Sequence, residues 1–517
     1  MPHLESLIQD PINIKSVFQY KFARVYADSG RYTDAELLQG VVLEKLKQLL
    51  GADHPDTLSA MGNLAATYCK LGKYTDAEHL EGVVLEKRKQ LLGADHPDTL
   101  WAIANLAATY HQLGRYADAE PLDCVVLEKR KQLLGANHPD TLCAMVNLAA
   151  TYRKLGRYAD AELLDHVVLE KRKQLLGADH PDTLSVMANL AVTYHELGRY
   201  TDAELLQGVV LEKWKQLLGA DHPDTLLGMA NLAATYHELG RYADAELLLA
   251  VVLEKRKQLL GADHPDTLSS MGNLAATYCD LGRYADAELL SHVVLETRTQ
   301  LLGDDHPDTL LAMANLAATY CKLGKYTDAE PLEGVVLEKW KLLLGADHLH
   351  TLLAMANLAA TYRELGRYAD AELLDHVVLE KRKQLLGADH PDTLSAMANL
   401  AATYRWLGRY TDAELLQGVV LEKRKQLFGA DHPDTLLAMA NLAVTYRRLG
   451  RYTDTELLEG VVLEKRKQLL GADHPDTLSA MENLAVTYCH LERYTDAEPL
   501  YCVVLKKRKQ LLGADHP

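Results

Sequence analysis

A unit of 42 residues recurs along almost the whole chain, and this repetition limits the fold more than any other feature. The first complete copy, at 51–92, is GADHPDTLSAMGNLAATYCKLGKYTDAEHLEGVVLEKRKQLL, and ten more copies follow it up to residue 512. Residues 1–50 hold a diverged copy, with Lys21 where the later copies have Asn, and residues 513–517 begin another. One such unit cannot bury its apolar face alone, so neighbouring units must stack. We therefore predict a degenerate capping repeat at 1–50, eleven tandem units at 51–512 and the truncated start of a further repeat at 513–517.

Each unit has the pattern of two helices joined by a short turn. In its first half, apolar residues at helical spacing form one stripe, which consists of Met61, Leu64, Ala65, Tyr68 and Leu71. We expect Asp53 to cap this helix, Pro55 to occupy its first turn and Gly72 to end it in a left-handed conformation. The second half carries its own apolar set, Tyr74, Ala77, Leu80, Val84, Leu91 and Leu92. The pattern predicts an all-α fold class, an α-solenoid.

Composition excludes several classes of function. The chain has 55 Lys and Arg against 72 Asp and Glu, a net charge of −17, which argues against a nucleic-acid partner or an anionic membrane surface. No stretch approaches the ~20 apolar residues that a membrane span needs, and the first residues lack the pattern of a secretory signal. The seven cysteines are scattered and form no CxxC pair, which is typical of reduced thiols. We therefore expect a cytoplasmic protein.

The spacing Leu64-Ala65-x-x-Tyr68, followed by Gly72, Tyr74 and Ala77, resembles the signature of the tetratricopeptide repeat, which has roughly 34 residues. With DHPDT before the first helix and LEKRKQLLG after the second, the longer unit resembles the kinesin light chain type. That type also occurs in nephrocystin-3-like proteins and in fungal NLR-like proteins. The resemblance covers residues 20–517 and implies a right-handed superhelix of about twelve repeats, whose concave face binds peptides or partner proteins. The N-terminal coiled coil of light chains and the phosphate loop of NLR proteins have no counterpart in this sequence.

The copies differ mainly on one face of the first helix, which we call the variable face. At about 100° per residue, it comprises Ser59, Gly62, Asn63, Ala66, Cys69 and Lys70 with their equivalents, and it lies opposite the apolar stripe. In related repeats these positions line the groove. The core positions barely change between copies, whereas position 69 alternates among Cys, His and Arg. A binding face under selection explains this difference, and free drift of exposed positions after duplication is the alternative.

A recurring asparagine is the most regular feature of the variable face across the copies. Asn is a mediocre helix former, and yet all eleven complete units carry it, as Asn63, Asn105, Asn147, Asn189, Asn231, Asn273, Asn315, Asn357, Asn399, Asn441 and Asn483. Its amide both donates and accepts, which suits holding the backbone of an extended peptide, and related repeats use an Asn ladder in this way. Copying during duplication and a bond to a neighbouring helix are the alternatives. The other groove candidates are aromatic or cationic: Trp101, His111, Arg153, His195, His237, Arg363, Arg405, Trp406, Arg447 and Arg448.

Three further patterns have structural interpretations. The His of DHPD occurs once per unit without converging ligands, so a role at the helix start is favoured over a row of metal sites. The EKRK runs form a basic stripe, for which a solvated helix face is favoured over a nucleic-acid track. Trp214 and Trp340 replace the Arg of EKR on the second helix, and we interpret them as packing residues.

No nucleophile, base and orienting group occur together in the unit, so we predict neither an enzyme nor a cofactor. The leading hypothesis is a protein-interaction scaffold that binds a peptide or partner protein in its groove. Acidic ligand residues are favoured toward the C-terminal half of that groove, where the arginines concentrate. A self-assembling protein is an alternative, because the last unit leaves an apolar face open and head-to-tail contacts form filaments. The sensor or adaptor arm of a larger NLR-type receptor is a third hypothesis.

Overall fold

The computed structural model describes residues 32–512, and within this range it contains 23 α-helices and no β-strand. Helices of 16 residues, which we call first helices, alternate with second helices of 19 residues. The first helices are α2 (Pro55–Lys70), α4 (Pro97–Gln112), α6 (Pro139–Lys154), α8 (Pro181–Glu196), α10 (Pro223–Glu238), α12 (Pro265–Asp280), α14 (Pro307–Lys322), α16 (Leu349–Glu364), α18 (Pro391–Trp406), α20 (Pro433–Arg448) and α22 (Pro475–His490). The second helices are α1 (Tyr32–Leu50), α3 (Tyr74–Leu92), α5 (Tyr116–Leu134), α7 (Tyr158–Leu176), α9 (Tyr200–Leu218), α11 (Tyr242–Leu260), α13 (Tyr284–Leu302), α15 (Tyr326–Leu344), α17 (Tyr368–Leu386), α19 (Tyr410–Phe428), α21 (Tyr452–Leu470) and α23 (Tyr494–Leu512).

Along most of the described residues a helix packs mainly on the next helix in the chain, which confirms the predicted all-α solenoid. Contacts divide the chain into two compact units. The first compact unit comprises Met1–Lys154, Arg256–Leu268 and Leu302–Asp308, and the second compact unit comprises Leu155–Lys255, Ser269–Leu301 and Thr309–Pro517. Most of the predicted capping repeat and all of the truncated repeat at 513–517 lie outside the described residues.

The first helices start at a histidine cap, not at the aspartate that we expected. Before α2, Nδ1 of His54 accepts a hydrogen bond from the backbone N–H of Asp56 at 3.2 Å, and Pro55 occupies the first turn. The side chain thereby satisfies one of the backbone donors that a helix start leaves open. Asp53 instead pairs with Lys87 of α3 at 3.0 Å. The recurring His thus acts at the helix start, as predicted.

The turn between the two helices of a unit is both left-handed and electrostatically tied. Gly72 has φ +73°, as predicted for the residue that ends the first helix. At the next such turn Arg115 donates to Asp118 at 2.6 Å and to Glu78 of the preceding unit at 2.9 Å, and its guanidinium lies 4.4 Å from the centre of the Tyr110 ring. The same arrangement recurs at the later turns, so it joins each unit to the one before it.

The core is made of Leu, Ala and Val from both helices, but its limits differ from the prediction. Leu64, Ala65 and Val84 are buried as expected. Leu91 and Leu92 are exposed, by 53% and 40%. The second helix is longer than the first (19 residues against 16), so its last turn has less of the neighbouring helix to pack on.

The arginine of several EKRK runs is buried, although we expected a solvated face for these runs, while Arg130, Arg172 and Arg256 stay partly exposed. Arg88 is buried, and its Nη1 donates to the backbone carbonyl of Asp98 at 3.0 Å in the start of the next first helix. Its long side chain packs along the core while its guanidinium donates to this carbonyl. Trp214 and Trp340 at the equivalent position are also buried, which confirms their role in packing.

Candidate functional site

The asparagines of the variable face are half-buried or exposed along the whole array. Their backbone carbonyls accept from a threonine one turn later, as in the bond from Thr235 Oγ1 to the Asn231 carbonyl at 3.3 Å. Within residues 32–512 their side-chain amides make no hydrogen bond to another residue. Each unit therefore presents a donor and an acceptor that remain available to a ligand.

Position 69 and its equivalents lie at the junction of two units, and not directly opposite the core as we expected. His111 Nε2 is 2.7 Å from the hydroxyl of Thr151 in the next first helix. That hydroxyl donates to Asp123 of the intervening second helix at 2.5 Å. The residue at position 69, an acid or amide twelve residues later and a threonine of the next unit thus form one polar contact between units.

Sequence reasoning related the variation at the second member of this contact to contacts between units, but it missed the polar partners; we call this member the bridging position. It is occupied by Glu81, Asp123, Asp165, Gln207, Leu249, Ser291, Glu333, Asp375, Gln417, Glu459 and Tyr501. The pairs Arg363–Asp375 and Arg447–Glu459, twelve residues apart, carry the signal that could have found it. Burial raises the pKa of both Glu81 and Glu333 to about 7.

The second compact unit contains two adjoining cavities on its variable face. The first has a volume of about 250 Å³ and is lined by His195, His237, Leu249 and Asn273, among others. The other has about 410 Å³ and shares His237 and Asn273 with it, while adding Asp280, Asn315 and Lys322. The first cavity coincides with the unit whose bridging position is Leu249, where the polar contact between units is interrupted. We call the pair the histidine pocket.

Charge in the histidine pocket is concentrated on His237. Its Nε2 lies 2.6 Å from Asp280 Oδ2, and its Nδ1 lies 3.5 Å from Glu238 Oε1. These two carboxylates raise the pKa of His237 to about 9, so the ring is a cation at neutral pH. Nε2 of the nearby His195 is buried without a hydrogen-bond partner. The pocket therefore offers a buried polar atom, a fixed charge pair and apolar walls.

Four guanidinium groups lie near one another further along the second compact unit, and we call them the arginine cluster: Arg363, Arg405, Arg447 and Arg448. Arg363 is neutralised by Asp375 at 2.9 Å, and Arg447 by Glu459 at 3.5 Å. The bridging position for Arg405 is the neutral Gln417.

Arg405 is thus a cation without an acidic partner. Its Nε is buried and has no hydrogen-bond partner. Burial and the neighbouring Arg448, Arg363 and Arg447 together lower its pKa. A bound anion would relieve both the repulsion and the missing hydrogen bond.

The remaining predicted residues occupy separate places. Trp101 is 43% exposed in the first compact unit, where it packs on the guanidinium of Arg88 at 5.2 Å. Arg153 is half-buried at the end of α6 in the same unit. Trp406 is 55% exposed and stacks on Tyr368 with the ring centres 5.7 Å apart, at the Leu–Gly turn that follows α18. The structure therefore groups His195 with His237 and joins the four arginines, but it does not bring the two tryptophans to either group.

No helix among residues 32–512 is long and apolar enough to cross a membrane. Twelve successive segments match the family model described as tetratricopeptide repeat: residues 21–56, 57–98, 99–140, 141–182, 183–224, 225–266, 267–308, 309–350, 351–392, 393–434, 435–476 and 477–517. Repeats of this family generally mediate protein–protein interactions.

Solved structures with similar repeats include a Podosopora anserina protein assigned to the kinesin light chains, with nearly identical TPR-like repeats. A variant of that protein with one substitution and its unmodified form are each 28% identical to this chain, with TM-scores of 0.35 and 0.34, over 40% of this chain and 97% of theirs. BtubC (BKLC) from P. vanneervenii is 18% identical, with a TM-score of 0.34, over 48% of this chain and 94% of its own. No curated protein matches the chain significantly. Because the repeat matches run from residue 21 to residue 517, the chain belongs to the tetratricopeptide repeat family.

Proposed function

We propose that the chain is a protein-interaction scaffold that holds an extended segment of a partner protein along the variable face of its second compact unit. The observation that carries the proposal is the row of unpaired asparagine amides beside the histidine pocket. Asn273 borders both cavities, and Asn315 borders the larger one. An extended peptide exposes one donor and one acceptor per residue, so amides at regular spacing match a backbone of any sequence.

Side-chain selectivity would come from the two ends of this stretch. The apolar wall at Leu249 and the unpartnered Nε2 of His195 suit a small side chain with one polar atom. The arginine cluster suits a carboxylate, because Arg405 lacks a counter-charge. The partner segment is therefore expected to carry an acidic residue toward the arginine cluster. This local excess of positive charge stands out on a chain whose net charge is −17.

Selection of random peptides displayed on phage, with the full chain as bait, tests this proposal. We expect the enriched peptides to share an acidic residue at a fixed position. Arg405→Gln should weaken their binding at least tenfold, since a charge-assisted hydrogen bond contributes about 1.5–3 kcal/mol. Arg367→Gln is the matched control, because Arg367 is exposed at a turn and is already paired with Asp370 and Glu330.

Two results would count against the proposal. Peptides without any shared acidic position would remove the assigned role of Arg405. Equal loss of binding in Arg367→Gln and Arg405→Gln would mean that overall charge, and not the arginine cluster, attracts the ligand.

A further inference from the structure

Within the second compact unit, repeats that are far apart in sequence contact one another. Nε2–H of His432 donates to the backbone carbonyl of Glu196 at 3.3 Å, 236 residues earlier, while its Nδ1 caps α20. A Cβ on Gly198 would clash with Pro433 Cδ, so the Leu–Gly turn packs directly on the His–Pro pair. The same contact joins Gly156 to Pro391, and Gly240 to His474 and Pro475.

Two kinds of surface meet in this contact. We call the row of Leu–Gly turns after the first helices the turn edge, and the row of His–Pro pairs before them the entry edge. A first helix of 16 residues separates its two edges by roughly 24 Å at 1.5 Å per residue. The two edges of any unit therefore point in opposite directions along its helices.

Part of the entry edge is covered in this way and part is open. The His390 side chain in the covered part is 6% exposed, and His432 and His474 are buried as well. In the open part, which lies in the first compact unit, the side chains of His54, His96 and His138 are each 39% exposed. The open histidines make the same cap through Nδ1, as in the bond from the Asp140 N–H to His138, so their Nε2–H groups point away from the helix.

The turn edge is open at the later repeats of the second compact unit. Gly366, Gly408 and Gly450 have no heavy atom within 4 Å of the place a Cβ would take, in contrast to Gly156, Gly198 and Gly240. Trp406 lies on this open stretch and is 55% exposed, although the equivalent Glu196 and Glu238 sit at the covered turns. The chain thus exposes both halves of a contact that it also makes internally.

We propose that the open turn edge of one molecule binds the open entry edge of a second copy of this chain, by repeating between molecules the contact between Gly198 and Pro433. The sequences on both sides are near copies of those that already fit together, so shape and hydrogen-bond pattern are the same. Covering Trp406 adds apolar burial to this contact. The two edges are unlike, so each added copy leaves one of each open and the assembly grows.

This surface differs from the apolar end face that the sequence suggested, and it adjoins the variable face at Trp406, the equivalent of Lys70. The test is light scattering coupled to size-exclusion chromatography on the full chain over a wide range of concentration. The turn-edge variant is Gly366→Asn/Gly408→Asn/Gly450→Asn, because Asn tolerates the left-handed conformation and its side chain would block the close approach. The matched control is Gly334→Asn/Gly418→Asn/Gly460→Asn on the second helices, where a Cβ also meets nothing within 4 Å.

The wild-type chain and the control are expected to grow beyond 57.4 kDa with concentration. The turn-edge variant should keep the helical circular dichroism and need at least a tenfold higher concentration to associate. A wild-type chain that stays monomeric would overturn the proposal, as would equal association of the two variants.

A mixing experiment separates a blocked edge from a damaged fold. The entry-edge variant replaces three exposed prolines of the first compact unit by Glu, which helix starts accept: Pro55, Pro97 and Pro139. Each variant alone should remain a monomer, while an equimolar mixture should stop at a dimer of twice 57.4 kDa, because only one productive pair of edges is left. Absence of that dimer would contradict the proposed pairing. Peptide binding to the entry-edge variant should be unchanged, because its substitutions lie outside the compact unit that holds the histidine pocket and the arginine cluster, so this test is independent of the proposed function.

Discussion

Supplying Arg405 with a carboxylate should stabilise the chain. Gln417 is buried, and its Oε1 accepts from Thr445 at 2.5 Å, a bond that a carboxylate would keep. In the units on either side, the equivalent residues are acids that pair with Arg363 and Arg447. The substitution Gln417→Glu changes one atom and places a negative charge beside a guanidinium whose Nε lacks a partner.

The expected gain in the free energy of unfolding is about 1–2 kcal/mol. A hydrogen bond to a charged group contributes about 1.5–3 kcal/mol, and the cost of burying the new carboxylate removes part of that. Urea unfolding at neutral pH, followed by circular dichroism, measures the change as a higher midpoint. The same variant should bind acidic peptides more weakly, because its own carboxylate now occupies Arg405.

The control is the double variant with Arg405→Gln. In that background Gln417→Glu buries a carboxylate without a cation, so the gain should turn into a loss. A gain of equal size in both backgrounds, or no gain in the single variant, would refute the assignment of Arg405 as an uncompensated charge.

Three further predictions concern the fold. Burial raises the pKa of Glu333 to about 7, above its ordinary value, so stability present below the ordinary pKa is lost as pH rises through 7. At pH 8, Glu333→Gln should therefore raise the free energy of unfolding by up to ~3 kcal/mol, seen as a higher urea midpoint, whereas at pH 4 it should change nothing. An equal effect at both pH values would contradict this. Trp340→Ala should cost about 3–5 kcal/mol in thermal or urea unfolding, whereas Trp101→Ala, at a half-exposed site, should cost under about 1 kcal/mol, and similar costs would refute the assigned burial. Gly198→Ala should destabilise more than Gly408→Ala, since both have positive φ and only the first Cβ meets a proline, and equal melting temperatures would argue against the contact.

The two-helix unit and its stacking could be predicted from the sequence because they depend on local patterns. Met61, Leu64 and Ala65 lie at helical spacing, and Gly72 adopts the left-handed turn that its position required. The same local reasoning failed for the cap, because either Asp53 or His54 could accept a backbone N–H. Which one does so depends on Lys87, a residue of the other helix that binds Asp53.

Features that depend on neighbouring units could not be derived from one helix at a time. Arg88 is buried because its guanidinium reaches a backbone carbonyl of the next unit, and Glu81 is buried because Thr109 of the next unit bonds to it. The contact between His432 and Glu196 depends on the small rotation between units, summed over 236 residues. No pattern within a single 42-residue unit contains that information.

The affinity of one selected peptide for the chain, measured by fluorescence anisotropy, tests the central claim most directly. We compare the full chain with Asn273→Ala/Asn315→Ala and with Leu205→Ser/Leu247→Ser, two exposed leucines on second helices. If the asparagine amides hold the peptide backbone, the first variant loses about 1–3 kcal/mol, or roughly fivefold or more in affinity, and the second binds like the wild type. Equal affinity of the wild type and the asparagine variant would contradict the account.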